Sequence, residues 1–176
     1  MTTFRPFQCS DLFKFSNINL DPLTETYNIS FYLSYLAKWP DYFSMAVAPS
    51  GTPMGYIMGK AEGENELWHG HVTAVTVALE YRRLGLAKNL MRILEEVSEK
   101  IYDAYFVDLF VRKSNLLAIG MYEKFGYVAY RRVLDYYSGE NGEDAYDMRK
   151  ALKRDKHKKS MIPLKRPIRP EELEWH

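Results

Sequence analysis

The spacing of hydrophobic positions changes along this chain, and each change marks an element. In "WHGHVTAVTVA" the pattern alternates, the signature of a strand, and puts His69, His71, Thr73, Val75 and Val77 on one face. Just beyond it the period lengthens. Leu86, Leu90, Leu94, Val97 and Ile101 recur every three or four positions and predict a helix from about Leu86 to Ile101. "AYFVDLFV" is apolar almost throughout, as a strand covered on both faces is.

The remaining segments follow the same rules. "TTFRPF" predicts a first strand, and "SDLFKF" a short helix with Ser10 as its N-cap. "NINLDPLTETYN" is rich in turn residues, with Asp21 and Pro22 read as turn chemistry only. "SFYLSYLAKW" predicts a helix capped by Ser30 and stopped by Pro40. "YFSMAVA" and "PMGYIMGKAEG" flank "PSG" and predict a hairpin. "NLLAIGMYEKF" predicts a helix closed by Gly126, and "YVAYRRVLDYY" and "AYDMRKAL" are strands joined by "SGENGED". The order β α α β β β α β α β β predicts an α/β (α+β) fold: a mixed, mostly antiparallel sheet of about seven strands, with four helices on both faces. No internal repeat is present.

Composition narrows the class. The 176 residues, 47% hydrophobic and 15% aromatic, suffice for one well-packed domain. A net charge of +1 gives the domain as a whole no nucleic-acid signature. The single cysteine, Cys9, cannot form an internal disulfide and points to a reducing compartment. With no apolar run of membrane-spanning length and no signal-peptide layout, the expectation is a soluble intracellular protein without a membrane partner. Charge is unevenly spread: Arg149 to Arg169 holds ten Lys/Arg against one acid, Asp155. The reading is therefore a domain over residues 1–152 and a basic, proline-containing extension over 153–176. That extension is either a solvated tail or a docking strip for an acidic or RNA-bearing partner.

Candidate chemistry concentrates at "YRRLGLAKNL", where the long strand gives way to the helix. A helix start exposes unpaired N–H groups that attract anions. Gly85 allows close approach of the backbone to a ligand, and Arg82 and Arg83 can add charge-assisted contacts to phosphate oxygens. The spacing alone also fits an ordinary strand-to-helix turn with solvated arginines.

The order of segments around that turn resembles the GNAT superfamily of acetyl-CoA-dependent N-acetyltransferases. The closer blocks "LDPLTETYNISFYLSYLAKWPDYF", "GYIMGKAEG", "WHGHVTAVTV", "YRRLGLAKNLM", "FVDLFVRKSN" and "GEDAYDMRKAL" resemble NatB-type catalytic subunits. These acetylate the α-amino group of nascent proteins starting Met-Asp, Met-Glu, Met-Asn or Met-Gln. The resemblance runs from Met1 to about Pro170. It implies a GNAT fold, acetyl-CoA as acyl donor with coenzyme A as product, and no metal. It also implies nascent peptide N-termini as substrates, a large helical-repeat auxiliary subunit as heterodimeric partner, and a cytoplasmic location with the ribosome reached through that partner.

The resemblance carries over onto individual positions. Arg82, Gly85 and Ala87, with the amides of Arg83, Leu84 and Leu86, would hold the donor's pyrophosphate. Amides around Val75 and Val77 would pair with the pantetheine arm and polarise the acetyl carbonyl. Asn115 would contact the cofactor and Tyr122 approach its sulfur. Asn115 and Tyr122, seven residues apart, are expected on one helix face. A tyrosine near 10 is a weaker acid than a thiol of about 8.5, so the expected role of Tyr122 is hydrogen-bond stabilisation of the thiolate. His71 and Thr73 would meet the peptide's second residue. Glu25 would orient or deprotonate the amine, directly or through water, Tyr27 would line the methionine pocket, and Tyr136 and Tyr137 would bond the peptide backbone.

Packing alone also accounts for Tyr122 and the tyrosine pair, and a solvated loop acid for Glu25. An H-x-H metal site at His69 and His71 lacks an apparent third ligand, with Cys9, His157 and His176 remote in sequence. An α-amine of pKa about 7.7–8.0 is already neutral in roughly a tenth of molecules at cellular pH, against under about one in a thousand for lysine. A weak base therefore suffices. The rival expectations are a GNAT enzyme acting on lysine or a small amine, and a non-catalytic acetyl-CoA-binding subunit.

Overall fold

Seven strands form one sheet in the order β1-β2-β3-β4-β5-β7-β6. They are β1 (Thr3–Pro6), β2 (Ser44–Val47), β3 (Pro53–Glu62), β4 (His69–Val77), β5 (Phe106–Arg112), β6 (Val128–Tyr137) and β7 (Glu143–Ala151). The pairs β1–β2, β2–β3, β5–β7 and β6–β7 are antiparallel. The structure, a computed structural model, describes residues 1–21 and 24–173. The turn reading at Pro22, and His176, lie outside the described residues.

The expected element order holds, with one correction. Among the described residues there are three α-helices, not four: α1 (Ile29–Lys38), α2 (Leu86–Lys100) and α3 (Leu116–Lys124). The "SDLFKF" segment folds instead as a 3₁₀ turn, Cys9–Phe13, and Ser10 does not cap it. The buried Asp11 carboxylate accepts from the Gln8 backbone N–H at 2.8 Å and from Arg5 at 2.7 and 2.8 Å. That brace ties the turn back to β1. Helix α1 starts one residue before Ser30 because Asn28 Oδ1 accepts from the Phe31 N–H at 2.9 Å. In α2 the buried stripe is Leu86, Leu90, Met91, Leu94 and Ser98, while Ile101 lies beyond the helix and is exposed. Helix α3 ends where Gly126 takes a φ of 96°, a left-handed cap that needs no Cβ.

The chain forms two compact units. The first joins Met1–Lys60 with Val72–Val97. Its core is aromatic: Phe7 stacks on Phe43 at 4.0 Å, and Phe15, Tyr32, Tyr35 and Tyr56 close around them. Rings of this size bury much apolar area with few rotatable bonds, so a short segment can seal a core.

The second unit joins Ala61–His71 with Ser98–His176. An apolar cluster of Val133, Ala145, Ile168 and Leu173 packs with Phe110, Tyr136 and Tyr137. Its β6 and β7 also carry buried charge: Asp147 accepts from Arg131 at 2.9 Å and from Arg149 at 3.1 Å, and all three are buried. The basic extension lies along β6. Leu164 N–H donates to the Tyr130 carbonyl at 2.7 Å, Ile168 N–H to Arg132 at 3.0 Å, and Leu134 N–H to the Ile168 carbonyl at 2.8 Å.

Candidate active site

In the first unit, the strand-to-helix turn has the backbone of an anion cradle. Arg83 has φ 63° and Gly85 has φ 76°, and residues 82–85 are exposed while Leu86 is buried and anchors the helix start. Left-handed residues in such a turn favour anion-binding concavities lined by backbone N–H groups. A Cβ built on Gly85 would meet nothing within 4 Å, so the glycine is required by its conformation and the space above it is open to a ligand. Leu84, Ala87 and the first turn of α2 complete this segment.

The arginines divide their work. Arg82 Nε donates to the Val77 carbonyl at 3.2 Å, and its Nη2 is bonded to the Asp21 carboxylate. The side chain thus braces the turn against the end of β4, and Arg83 stands exposed beside the cradle. Asp21, read from the sequence as turn chemistry, is a partner of Arg82.

A second cluster in the first unit gathers three expected or neighbouring residues. Thr73 Oγ1 donates to the Tyr35 hydroxyl at 2.8 Å, and the Tyr27 hydroxyl donates to the Thr73 carbonyl at 3.4 Å. Tyr27 stacks on Phe31 at 4.3 Å. The loop before α1 is therefore held against β4 next to Thr73. Val75 lies two positions further along the same strand, and Glu25 is exposed in the loop.

In the second unit His71 is buried, and its Nδ1 lies 2.7 Å from Asp108 Oδ1. Because a carboxylate only accepts, Nδ1 carries the proton, which leaves Nε2 as the nitrogen that can meet a ligand. His69, also buried, has Nδ1 2.5 Å from the Leu67 carbonyl, and its Nε2 lies 3.4 Å from Asp108 Oδ2 and 3.6 Å from Glu62 Oε1. Those last contacts are ionic and too loosely aligned for hydrogen bonds. Burial opposes the charge on His69, but the Asp108 and Glu62 carboxylates and the Leu67 carbonyl overcome it and raise its pKa to about 10. Burial pushes the Asp108 carboxyl up, and the two histidines outweigh it, holding it well below the usual carboxylate range.

The fold thus supplies the third group that the sequence lacked beside the H-x-H pair. Donor atoms of Glu62, His69 and His71 lie within 4.8 Å of one another. The His69 ring lies there between the Glu62 and Asp108 carboxylates.

Tyr122 is buried on α3, edge-on to Phe125 and Tyr127. Burial alone pushes its pKa up to about 12, so the hydroxyl keeps its proton at every physiological pH and remains available as a donor. Asn115 is the N-cap of α3, and its Oδ1 accepts from the Ala118 N–H at 3.2 Å. The amide NH₂ is the end that points away from this cap.

Tyr136 stacks on Phe110 at 4.7 Å, and Phe110 lies 5.4 Å from the His71 ring. Tyr137 meets Tyr136 edge-on and carries the Arg112 guanidinium 4.0 Å over its ring. A bulge between Val133 and Tyr137, with Asp135 at φ 51°, breaks the strand's alternation here. Glu143 accepts from the Ser114 N–H and hydroxyl at 3.0 and 2.8 Å, which ties the tip of β7 to the loop before Asn115.

Asp108, Glu62 and Tyr35 were not singled out by sequence reading. Asp108 left one signal: it is the single charge in "AYFVDLFV", and a charge in a doubly covered strand requires a buried partner.

Comparison with known proteins shows the family. The acetyltransferase (GNAT) family matches residues 12–127. The chain is 67% identical over 175 residues to the N-terminal acetyltransferase B complex catalytic subunit NAA20 of Arabidopsis thaliana, with 99% of each chain covered. It is 69% identical over 170 residues to N-alpha-acetyltransferase 20 of Dictyostelium discoideum, with 97% of each covered. Among solved structures it is similar to Chaetomium thermophilum Naa20 in complex with a bisubstrate analogue. The TM-score is 0.90 and the identity 44%, covering 99% of this chain and 100% of that one.

Proposed function

The chain belongs to the acetyltransferase (GNAT) family, and from that premise we propose that it is the catalytic subunit of a NatB-type N-terminal acetyltransferase. Its substrates are nascent chains starting Met-Asp, Met-Glu, Met-Asn or Met-Gln. The observation that carries the reading is the exposed turn at Arg83–Gly85, left-handed at both residues and open to empty space above Gly85 at the start of α2. Acetyl-CoA, when bound, supplies an activated acyl thioester.

This chain's own residues do the rest. Amides of Arg83, Leu84, Gly85, Leu86 and Ala87 hold a diphosphate, with Arg82 bracing the turn and Arg83 adding charge. Amides at Val75 and Val77 orient the acyl arm. The Asn115 NH₂ contacts the donor. Tyr122 donates its hydroxyl hydrogen to a developing thiolate, which suits a group held protonated by burial. Glu25 steadies the peptide's amine, Tyr27 lines the methionine pocket, Tyr136 and Tyr137 bond the peptide backbone, and His71 and Thr73 meet its second side chain.

The name of the Arabidopsis relative supports a multi-subunit assembly. The first unit offers exposed apolar side chains for a partner surface in Phe13, Leu20 and Ile29, at 87%, 71% and 63% exposure. We assign that surface to a large helical-repeat auxiliary subunit, through which the chain works on cytoplasmic ribosomes. Among the described residues no helix is long and apolar enough to cross a membrane. The extension from residue 153 is assigned to the same folded protein as residues 1–152.

The test is an acetyl-CoA assay of the chain with its auxiliary subunit on Met-Asp, Met-Lys and internal-lysine peptides. Turnover of Met-Asp at least tenfold above the other two is expected. Equal rates on all three would remove the selectivity, and donor binding without turnover would make the chain a non-catalytic subunit.

A further inference from the structure

The second unit holds a cavity of about 230 Å³, and none of the residues assigned above to donor or peptide lines it. Its walls include Tyr105, Phe106 at the start of β5, Tyr130 on β6 and Arg149 on β7. The turn at Glu66 and Leu67 and part of the basic extension, between residues 154 and 160, enclose the rest. We propose that this cavity binds a small phosphate-bearing anion, with Arg149 as its central donor.

Arg149 is 3% exposed, and its guanidinium lies 3.7 Å over the Tyr130 ring and 4.5 Å over that of Phe106. Two rings hold the planar group in one place, which suits it to a fixed recognition task. Its Nε and Nη2 donate to Asp147 at 3.3 and 3.1 Å, while Nη1 hydrogen-bonds to no described residue. A buried cation with an idle N–H edge beside a cavity is destabilising until something accepts from it. An anion both accepts and compensates the charge.

The neighbours add donors and few acceptors. Neither the Tyr105 nor the Tyr130 hydroxyl bonds to a described residue, and the exposed Lys156 forms no ion pair with one. Arg154 is held by Asp103 and lies 4.2 Å over the Tyr105 ring. The two acids of the lining are already engaged. Asp155 accepts from the Lys159 N–H, the Ser160 N–H and the Ser160 hydroxyl at 3.0, 2.9 and 2.6 Å, and Glu66 lies 3.6 Å from Lys159. The same three bonds brace the strip that carries Lys156, so a ligand does not have to order it. An arginine edge, a lysine and two phenols remain. A carboxylate brings two oxygens and one charge to these four groups, whereas a terminal phosphoryl brings three oxygens and nearly two charges.

The experiment titrates inorganic phosphate, then pyrophosphate, into the chain with its auxiliary subunit by calorimetry. Saturating coenzyme A is present, so that the cradle at Gly85 is already filled. Binding of one equivalent is expected. Arg149→Ala would strand Asp147, so the variants are Lys156→Ala and Tyr130→Phe, which spare that pair. Each should weaken binding about three- to tenfold while acetyl transfer to a Met-Asp peptide stays as it was.

Absence of a binding heat with both anions overturns the proposal. So does a heat that neither variant alters, which places the anion elsewhere on the complex. If a single-stranded RNA oligonucleotide displaces pyrophosphate and binds more tightly, these residues belong to a nucleic-acid surface and the small-ligand site falls. The acetyltransferase reading stands under each of these results, because it rests on the turn at Gly85 in the first unit.

Discussion

Arg82 and Asp21, 61 residues apart in sequence, are joined side chain to side chain, and the same guanidinium donates to the Val77 carbonyl. The arginine that sequence reading assigned to phosphate is therefore also the strut that fixes the turn. The two roles separate in a double-mutant cycle. Arg82→Ala and Asp21→Ala should each raise KM for acetyl-CoA about three- to tenfold, with the double mutant no worse than the weaker single. If Asp21→Ala changes nothing while Arg82→Ala does, Arg82 acts on the donor directly.

Gly85→Val should abolish measurable acetyl-CoA binding by calorimetry while leaving the far-ultraviolet circular dichroism unchanged. A β-branched residue at φ 76° costs about 1–2 kcal/mol of backbone strain, and its side chain enters the open space above the turn. Undiminished binding would dispose of the anion cradle.

Tyr122→Phe should lower kcat by about ten- to a hundredfold with KM for acetyl-CoA within about twofold, because the hydroxyl acts on charge that develops only during transfer. With the hydroxyl's pKa near 12, the unaltered enzyme should show no loss of kcat from tyrosine ionisation below about pH 10. An unchanged kcat in the Phe variant would leave Tyr122 as packing.

The His69 imidazolium makes stability depend on alkali. Its pKa is raised from about 6.5 when unfolded to about 10 in the fold, so its contribution is complete below about pH 6.5 and is lost as pH rises through about 10. Urea midpoints should fall steadily across that window. His69→Ala should cost about 3–5 kcal/mol near neutrality, since it strands Asp108 and Glu62, and should flatten the pH dependence. A variant with the original slope would place the titrating group elsewhere.

Much of the fold was legible because its signals are local. The alternation of β4, the 3.6-residue stripe of α2 and the left-handed stop at Gly126 each depend on neighbours within a few positions. The helix starts were less legible. Asn28 competes with Ser30 for the first turn of α1, and Asp11 turns the "SDLFKF" segment into a braced 3₁₀ turn through Arg5, a partner on β1. The turn at Gly85 announced itself by its glycine and arginines. Asp108 did not, because its meaning lies in two histidines on another strand, and pairing across a sheet is invisible to periodicity along one chain. The break at Asp135 that re-aims Tyr136 and Tyr137 was hidden for the same reason.

The last strand of the sheet, β6, would ordinarily offer a row of open backbone groups to any passing chain. Here the segment through Leu164 and Ile168 occupies them, with Ile168 and Leu173 pressed into the apolar cluster beneath. The positively charged end of the polypeptide thus serves as a hem, sealing the border of the molecule against self-association. Shortened versions that stop before Leu164 should precipitate on expression even with the catalytic machinery intact, and fusions for purification belong at a site other than this terminus.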